Sequence, residues 1–252
     1  MLIKDLKAYT ECVKLSLRTV DLSISTDDKV IVKNVSIEAM PGEPVFLLGP
    51  NGSGKSSLLK GIMGIPSYKI VSGKVIMDSE DITGLPPWER VRRGLWIVHQ
   101  LNFPLSVPTY FLLEKIAARA RANVNVKTVL DALGISHLYY REAFNGFSGG
   151  EAKKLEVATA LVSSPKCIML DEPDSGVDID SLRVIAGYIN LWLREGRTII
   201  IVTHLGAIAN FIEKEGKAYV LIDGRIVYEG RLHDVIRLVL EKGYSYFKGD
   251  GN

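Results

Sequence analysis

The stretch Phe46-Leu-Leu-Gly49-Pro-Asn-Gly52-Ser-Gly54-Lys55-Ser56-Ser-Leu-Leu59 decides the fold. Val45, Phe46, Leu47 and Leu48 make a short apolar run that reads as a buried strand. Three closely spaced glycines follow, then Lys55, Ser56 and an apolar-periodic segment that reads as a helix. The spacing is G-x-x-x-x-G-K-[ST] between strand and helix, the context that motif requires. Glycines let the backbone take positive φ and turn its N–H groups inward as a cradle. The N-terminus of the next helix adds positive potential for a polyphosphate. Lys55 can reach the β- and γ-phosphates, and the Ser56 hydroxyl can ligate Mg²⁺. The plain alternative is a glycine-rich turn entering an ordinary helix, and both flanks speak against it. Gly49, Pro50, Asn51, Gly52, Ser53, Gly54, Lys55, Ser56 and Ser57 are therefore the expected nucleotide-binding residues.

At 252 residues and 24% charged, the composition is that of a globular protein. A chain this long buries roughly three quarters of its unfolded surface, so its core needs no staples. A net charge of +2 gives no case for a nucleic-acid partner held by bulk charge. Cys12 and Cys167 lie far apart without metal-ligand spacing, and Cys167 sits in an apolar run as a small core residue. No stretch approaches the ~20 apolar residues of a membrane span. Residues 1–12 carry charges where a signal peptide would need an apolar core, so the expected location is cytoplasmic.

Around the phosphate loop the pattern alternates between strand and helix. Residues 1–12 read as a lead-in, possible as a short helix. Val13 to Ser25 reads as a strand with a slip of phase near Thr19, Asp27-Asp28 as a turn, and Val30 to Ala39 as a further strand. A β-rich layer thus precedes the loop. The helix after the loop should stop at Gly64. Gly73 to Asp78 reads as a strand, Pro87 to Arg93 as a short helix and Leu95 to His99 as a strand ending at Gln100. From Thr109 to about Tyr140 the apolar spacing is helical, and the inserted helical subdomain is placed at 101–164. Beyond it come a strand at Cys167 to Leu170, a helix at Ile179 to Leu193 and a strand at Thr198 to Thr203. Asp223-Gly224 marks a hairpin, and a helix at Leu232 to Leu240 precedes a Gly- and Tyr-rich tail. Such alternation argues for an α/β fold with a mainly parallel sheet covered on both faces.

Other residues complete the chemistry. Asp171-Glu172 ends an apolar strand: Asp171 would hold Mg²⁺ with Ser56, and Glu172 would orient and polarise the attacking water. Ser148 with Glu151 three residues on is a capping box, and Ser148, Gly149 and Gly150 at a helix N-terminus can also bind phosphate. His204, just past a β-branched strand, could donate a hydrogen bond to a γ-phosphate. Gln100 could position water or contact the metal. Ser175-Gly176-Val177-Asp178 reads equally as a plain turn or a subunit contact.

Together these residues resemble the ATP-binding-cassette (ABC) ATPases, over nearly the whole chain. GPNGSGKS resembles Walker A, CIMLDE Walker B and FSGGE the signature, while Gln100, Ser175 to Asp178 and His204 resemble the Q-, D- and H-loops. The resemblance implies a P-loop NTPase (RecA-like) core with an N-terminal antiparallel β layer and a helical subdomain, all in one ATP-binding domain spanning 1–252. It also implies a head-to-tail homodimer with ATP, in which each nucleotide lies between one Walker A face and the other subunit's Ser148–Gly150. The expected catalytic residues are Glu172, His204 and Gln100, and the expected metal ligands Ser56, Gln100 and Asp171.

Within the family, Asp174 in the Walker B continuation, the GFSGGE signature, Met63-Gly64 with Tyr68 before Gly73, and the ending Glu241-Lys-Gly-Tyr244 resemble ATPase subunits of SUF-type iron–sulfur cluster assembly. That implies SUF-type scaffold proteins as partners. Ala152 stands where that group carries a basic residue, and Leu101-Asn-Phe-Pro104 departs from its pattern. Between Val20 and Thr26, where many family members place an adenine-stacking aromatic, there is none, and Tyr9 is a distant candidate. The competing reading is the ATP-binding subunit of a transporter, docked on a membrane permease. A chromosome-structure ATPase would need a long coiled coil, and sustained heptads are missing.

Overall fold

The computed structural model describes residues 16–99, 104–204 and 207–248. β1 (Leu17–Thr26) and β2 (Lys29–Val35) form a hairpin closed by Asp27 and Asp28, both at positive φ as a tight two-residue turn demands. β3 (Glu38–Ala39) leads to β4 (Pro44–Leu48), buried throughout, and then to α1 (Lys55–Met63), which ends at Gly64 in the left-handed conformation. β5 (Lys69–Met77), β6 (Glu80–Asp81), α2 (Pro87–Arg92) and β7 (Leu95–Val98) follow. The helical stretch contains α3 (Thr109–Ala120), α4 (Val126–Ala132) and α5 (Gly149–Ser163). The chain then alternates through β8 (Cys167–Asp171), α6 (Ile179–Arg194), β9 (Thr198–Val202), the hairpin β10 (Lys217–Ile222) and β11 (Arg225–Arg231), and α7 (Leu232–Lys242).

Two sheets organise these elements. The six-stranded sheet has the order β11-β10-β4-β9-β8-β7; all its pairings are parallel except β10 with β11. Its central strands are continuous apolar runs because helices or the second sheet cover both faces. One face packs with α5 and α6 through Leu155, Ile185, Ile189 and Trp192, and the opposite face, with Leu47, Met169 and Ile200, packs against α1 and the five-stranded antiparallel sheet. The C-terminal ends of β4, β8 and β9 converge, and loops carrying the chemistry leave from there, as expected for ligand sites in open α/β sheets.

Several expectations need correction. The antiparallel layer is not confined to the sequence before the phosphate loop: β5 and β6, beyond α1, return to pair alongside β1. The phase slip expected near Thr19 lies at Asp21, where φ of +47° and a register shift against β5 between Val20 and Ser23 mark a bulge; the register against β2 shifts further on, around Ile24. The expected strand 30–39 is split, because Asn34 takes positive φ and Ser36 turns out of the ladder to bond Asp21. The helical stretch expected over 109–140 is built of α3 and α4, parted at Arg121, which adopts the left-handed conformation and closes α3. The lead-in helix, Cys12, Tyr9 and Gln100 lie outside the described residues.

Candidate active site

Helix α1 begins without a side-chain cap: Gly54 occupies the N-cap in a left-handed conformation, and the first turn has no acidic residue. The backbone N–H groups of that turn thus have no capping side chain and keep their affinity for an anion. Gly49 is required by close approach, since a Cβ there would lie 2.1 Å from the carbonyl oxygen of Leu221. The hairpin turn after β10 braces the loop: the Gly224 amide donates to Ser53 O at 3.0 Å, and Lys33 N to Gly224 O at 2.8 Å.

An open cavity of about 390 Å³ lies over the loop, lined by residues 51–57 with Ile31, Glu172 and His204. Lys55 is only 4% exposed. Its ammonium donates to Gly49 O (2.7 Å) and Pro50 O (3.0 Å) and lies 3.2 Å from His204 Nδ1. On the other side of the imidazole, Nε2 is 2.6 Å from Glu172 Oε1. If the ammonium fills the Nδ1 lone pair, the ring proton sits on Nε2 and donates to Glu172. Lys55, His204 and Glu172 then form one hydrogen-bonded chain across the cavity. Burial lowers the lysine pKa, and the Glu172 and Asp171 carboxylates oppose that shift.

Ser56 Oγ donates to Asp171 Oδ1 at 2.9 Å, joining the start of α1 to the end of β8. Burial raises the Asp171 pKa and the Ser56 bond counters it. Behind Asp171, the buried Lys153–Glu156 pair (3.1 Å) sends the ammonium to Asp171 O at 3.3 Å. Glu172 holds φ of +52°, a conformation disfavoured for a side chain with Cβ and common at functional sites. That twist carries the carboxylate from the buried strand toward His204. Asp174 Oδ2 accepts from Thr203 Oγ1 (2.7 Å) and Ile208 N (3.3 Å), tying the loop after β8 to the residue preceding His204.

Ser148, Gly149 and Gly150 do not line this cavity. Both halves of the capping box are formed, with Ser148 N donating to Glu151 Oε2 at 2.8 Å and Glu151 N to Ser148 Oγ at 3.3 Å. Ser148 and Gly149 are exposed. A Cβ on Gly149 would lie 2.3 Å from Gly176 O, and one on Gly150 2.6 Å from Ser181 Oγ. The two glycines therefore let this helix start seat directly on the 175–178 loop. Of the sequence candidates, the structure gathers Lys55, Ser56, Asp171, Glu172 and His204 into one cluster and leaves Ser148–Gly150 outside the cavity, with Ser148 and Gly149 exposed and Gly150 buried. Ile31, which lines the cavity from β2, had no sequence signal beyond being one apolar residue in a strand.

A phosphate loop opening a helix at the C-terminal edge of a parallel sheet, with a serine-bonded aspartate on a neighbouring strand, defines a P-loop nucleoside triphosphatase. Residues 32–175 match the ABC transporter family. The "Probable ATP-dependent transporter ycf16" of Cyanidium caldarium is 32% identical over 246 residues, covering 92% of this chain and 96% of that protein. The "Probable ATP-dependent transporter SufC" of Escherichia coli strain K12 is 34% identical over 244 residues, covering 90% and 96%. Among solved structures, the ADP conformation of MJ1267, described as an ATP-binding cassette of an ABC transporter, aligns with a TM-score of 0.74 at 28% identity, covering 95% of this chain and 100% of that one. The chain belongs to the ABC transporter family and is one of its ATPase cassettes. Among the described residues no helix is long and apolar enough to cross a membrane.

Proposed function

We propose that this ATPase binds MgATP over residues 49–57, closes it against Ser148–Gly150 of a second copy, and uses hydrolysis to rearrange a SUF-type iron–sulfur scaffold. The observation that carries the catalytic part is the chain Lys55–His204–Glu172 beside the Ser56–Asp171 bond. Lys55 and the α1 N-terminus bind and orient the phosphates. His204 holds the Glu172 carboxylate in place, and Glu172 takes the proton of the attacking water. Ser53 Oγ is buried without a hydrogen-bond partner beside the loop, an orphan that a phosphate oxygen would satisfy. Hydroxyl and carboxylate oxygens suit Mg²⁺: Ser56 and Asp171 would hold it, with Gln100 added from the family resemblance, and when bound it would supply positive charge against the phosphates. Ile31, in place of an aromatic ring, is the apolar wall available to the base.

The head-to-tail homodimer rests on Ser148 and Gly149 lying exposed outside the phosphate cavity, so that one copy supplies half of each site. The domain boundaries follow the same reading, one domain over 1–252 with the helical insertion at 101–164. The cluster-assembly role rests on the Asp174, GFSGGE and Glu241–Tyr244 details and on the SufC relative. A permease-bound transport subunit is the second reading, favoured by the transporter names of the relatives. Glu172→Gln should retain ATP binding, lose about 10²–10⁴-fold in turnover, and accumulate as an ATP-bound dimer on a sizing column. Wild-type turnover without a dimer refutes the catalytic reading. Purification from native extract separates the partner classes: recovery only with a detergent-solubilised multispan protein refutes the scaffold reading.

A further inference from the structure

The sequence marks the tail after α7 as Gly- and Tyr-rich and its Glu241–Tyr244 ending as similar to a family subgroup, but assigns it no contact; in the structure it reaches the catalytic cluster. Gly243 turns the chain at φ of +70°, and residues Tyr244–Lys248 form a 3-10 turn against β11. There Phe247 packs on Tyr228 with ring centres 5.3 Å apart, and Lys248 lies 3.5 Å from Asp223 in the turn that braces Ser53. Within this turn one hydroxyl makes two bonds to backbone groups. Tyr244 Oη donates to the carbonyl oxygen of His204 at 2.6 Å and accepts from the Gly49 amide at 3.1 Å. Its single proton and an acceptor lone pair are both used, which fixes the hydroxyl orientation. Burial also raises the pKa of this phenol, keeping the donor protonated.

The two groups it joins are neighbours at the cluster, with His204 Nδ1 3.4 Å from the Gly49 carbonyl oxygen. Gly49 opens the phosphate loop, and its carbonyl receives the Lys55 ammonium. His204 follows β9 by two residues and carries the imidazole between Lys55 and Glu172. We propose that Tyr244 is a positioning residue for ATP hydrolysis, its hydroxyl pinning the His204 backbone to the start of the phosphate loop so that the imidazole meets Glu172. The proposal rests on the role assigned to His204 above. Tyr244 itself does not line the cavity, so its influence falls on alignment rather than on nucleotide contact. Sub-ångström to ångström misplacement of a catalytic group costs up to ~10²-fold in rate.

The test is steady-state ATPase kinetics on the full chain. Tyr244→Phe keeps the ring and removes the two bonds. Its kcat should fall roughly tenfold or more, with KM for MgATP changed by less than about threefold because no phosphate-contacting group is removed. Tyr246→Phe, which deletes a hydroxyl from the same turn, should retain wild-type kcat. Val235→Ala, which opens a gap under α7 at a fully buried position, should lower the unfolding midpoint yet keep kcat well below that midpoint. In a His204→Ala background, Tyr244→Phe should cause no further loss. Wild-type kcat in Tyr244→Phe overturns the proposal, as does a loss of equal size in the His204→Ala background or an equal loss in Val235→Ala. If His204→Ala itself turns over at the wild-type rate, the role of His204 is refuted and this proposal with it. A slow His204→Ala beside a wild-type Tyr244→Phe refutes the positioning role alone.

Discussion

Replacing Arg90 by methionine should destabilise the protein by about 3–4 kcal/mol, although Arg90 touches neither nucleotide nor partner surface in this reading. Its side chain is 2% exposed. Its guanidinium donates to the carbonyls of Gly61, Ile62, Thr83 and Leu85. It thereby clamps the C-terminal end of α1, whose first residues are Lys55 and Ser56, onto the turn after β6. The cation also faces the negative end of that helix. Burial opposes the charge and pushes its pKa down to about 10. The net value of a hydrogen bond to a charged group, about 1.5–3 kcal/mol, already contains such desolvation. Thr83 and Leu85 are half-buried, so water replaces the guanidinium there at little cost. Gly61 O keeps the Gly64 amide at 2.9 Å, so its loss is at the low end. Ile62 is fully buried, and its carbonyl bears the larger share. For a chain of this size the thermal midpoint should fall by roughly 6–16 °C. Circular dichroism melts and urea titrations of Arg90→Met against wild type provide the measurement. A midpoint within about 2 °C of wild type, with an unchanged urea slope, would refute the argument.

The remaining predictions concern charge at the nucleotide loop and at the signature. Lys55→Ala removes a preorganised cation from the phosphates and should reduce phosphate release by ~10²-fold or more; near-normal turnover would show that the loop does not work as described. Glu151, bonded to the Ser148 amide and to His137 Nε2 (2.6 Å), has its pKa pulled down to about 2 from 4.5. A carboxylate depressed by folding stabilises fully above its unfolded pKa, and that contribution is lost as pH falls toward its folded value. Glu151→Gln should therefore be less stable than wild type at neutral pH, with the gap closing between 4.5 and about 2. A gap that does not vary with pH in urea titrations would contradict this.

Local patterns were enough for most of the fold. The run Val45–Leu48, the β-branched run at 198–203, Asp223-Gly224 and the stop at Gly64 each carry their own punctuation, and each element formed where that punctuation places it. Patterns that depend on a neighbour were less legible. The bulge at Asp21 belongs to the pairing of β1 with β5, a strand far along the chain, so its position cannot be read from the alternation within β1. The return of β5 to the layer that begins the chain is likewise a matter of long-range pairing.

The sequence by itself determined the strand, loop and helix around residues 49–56, because G-x-x-x-x-G-K-S dictates its own backbone and the order of the elements follows from short-range sterics and periodicity. It also determined which acids and which histidine stand at strand ends. Only the tertiary structure decided that His204 sits between Lys55 and Glu172, that Ile31 walls the cavity, that Arg90 closes α1 and that Tyr244 ties His204 to Gly49. Residues 49 and 244 lie 195 positions apart, and no local propensity registers a bond across that separation. Such contacts exist because the parallel sheet brings the ends of β4, β8 and β9 together, and side chains from distant segments fill the space that remains.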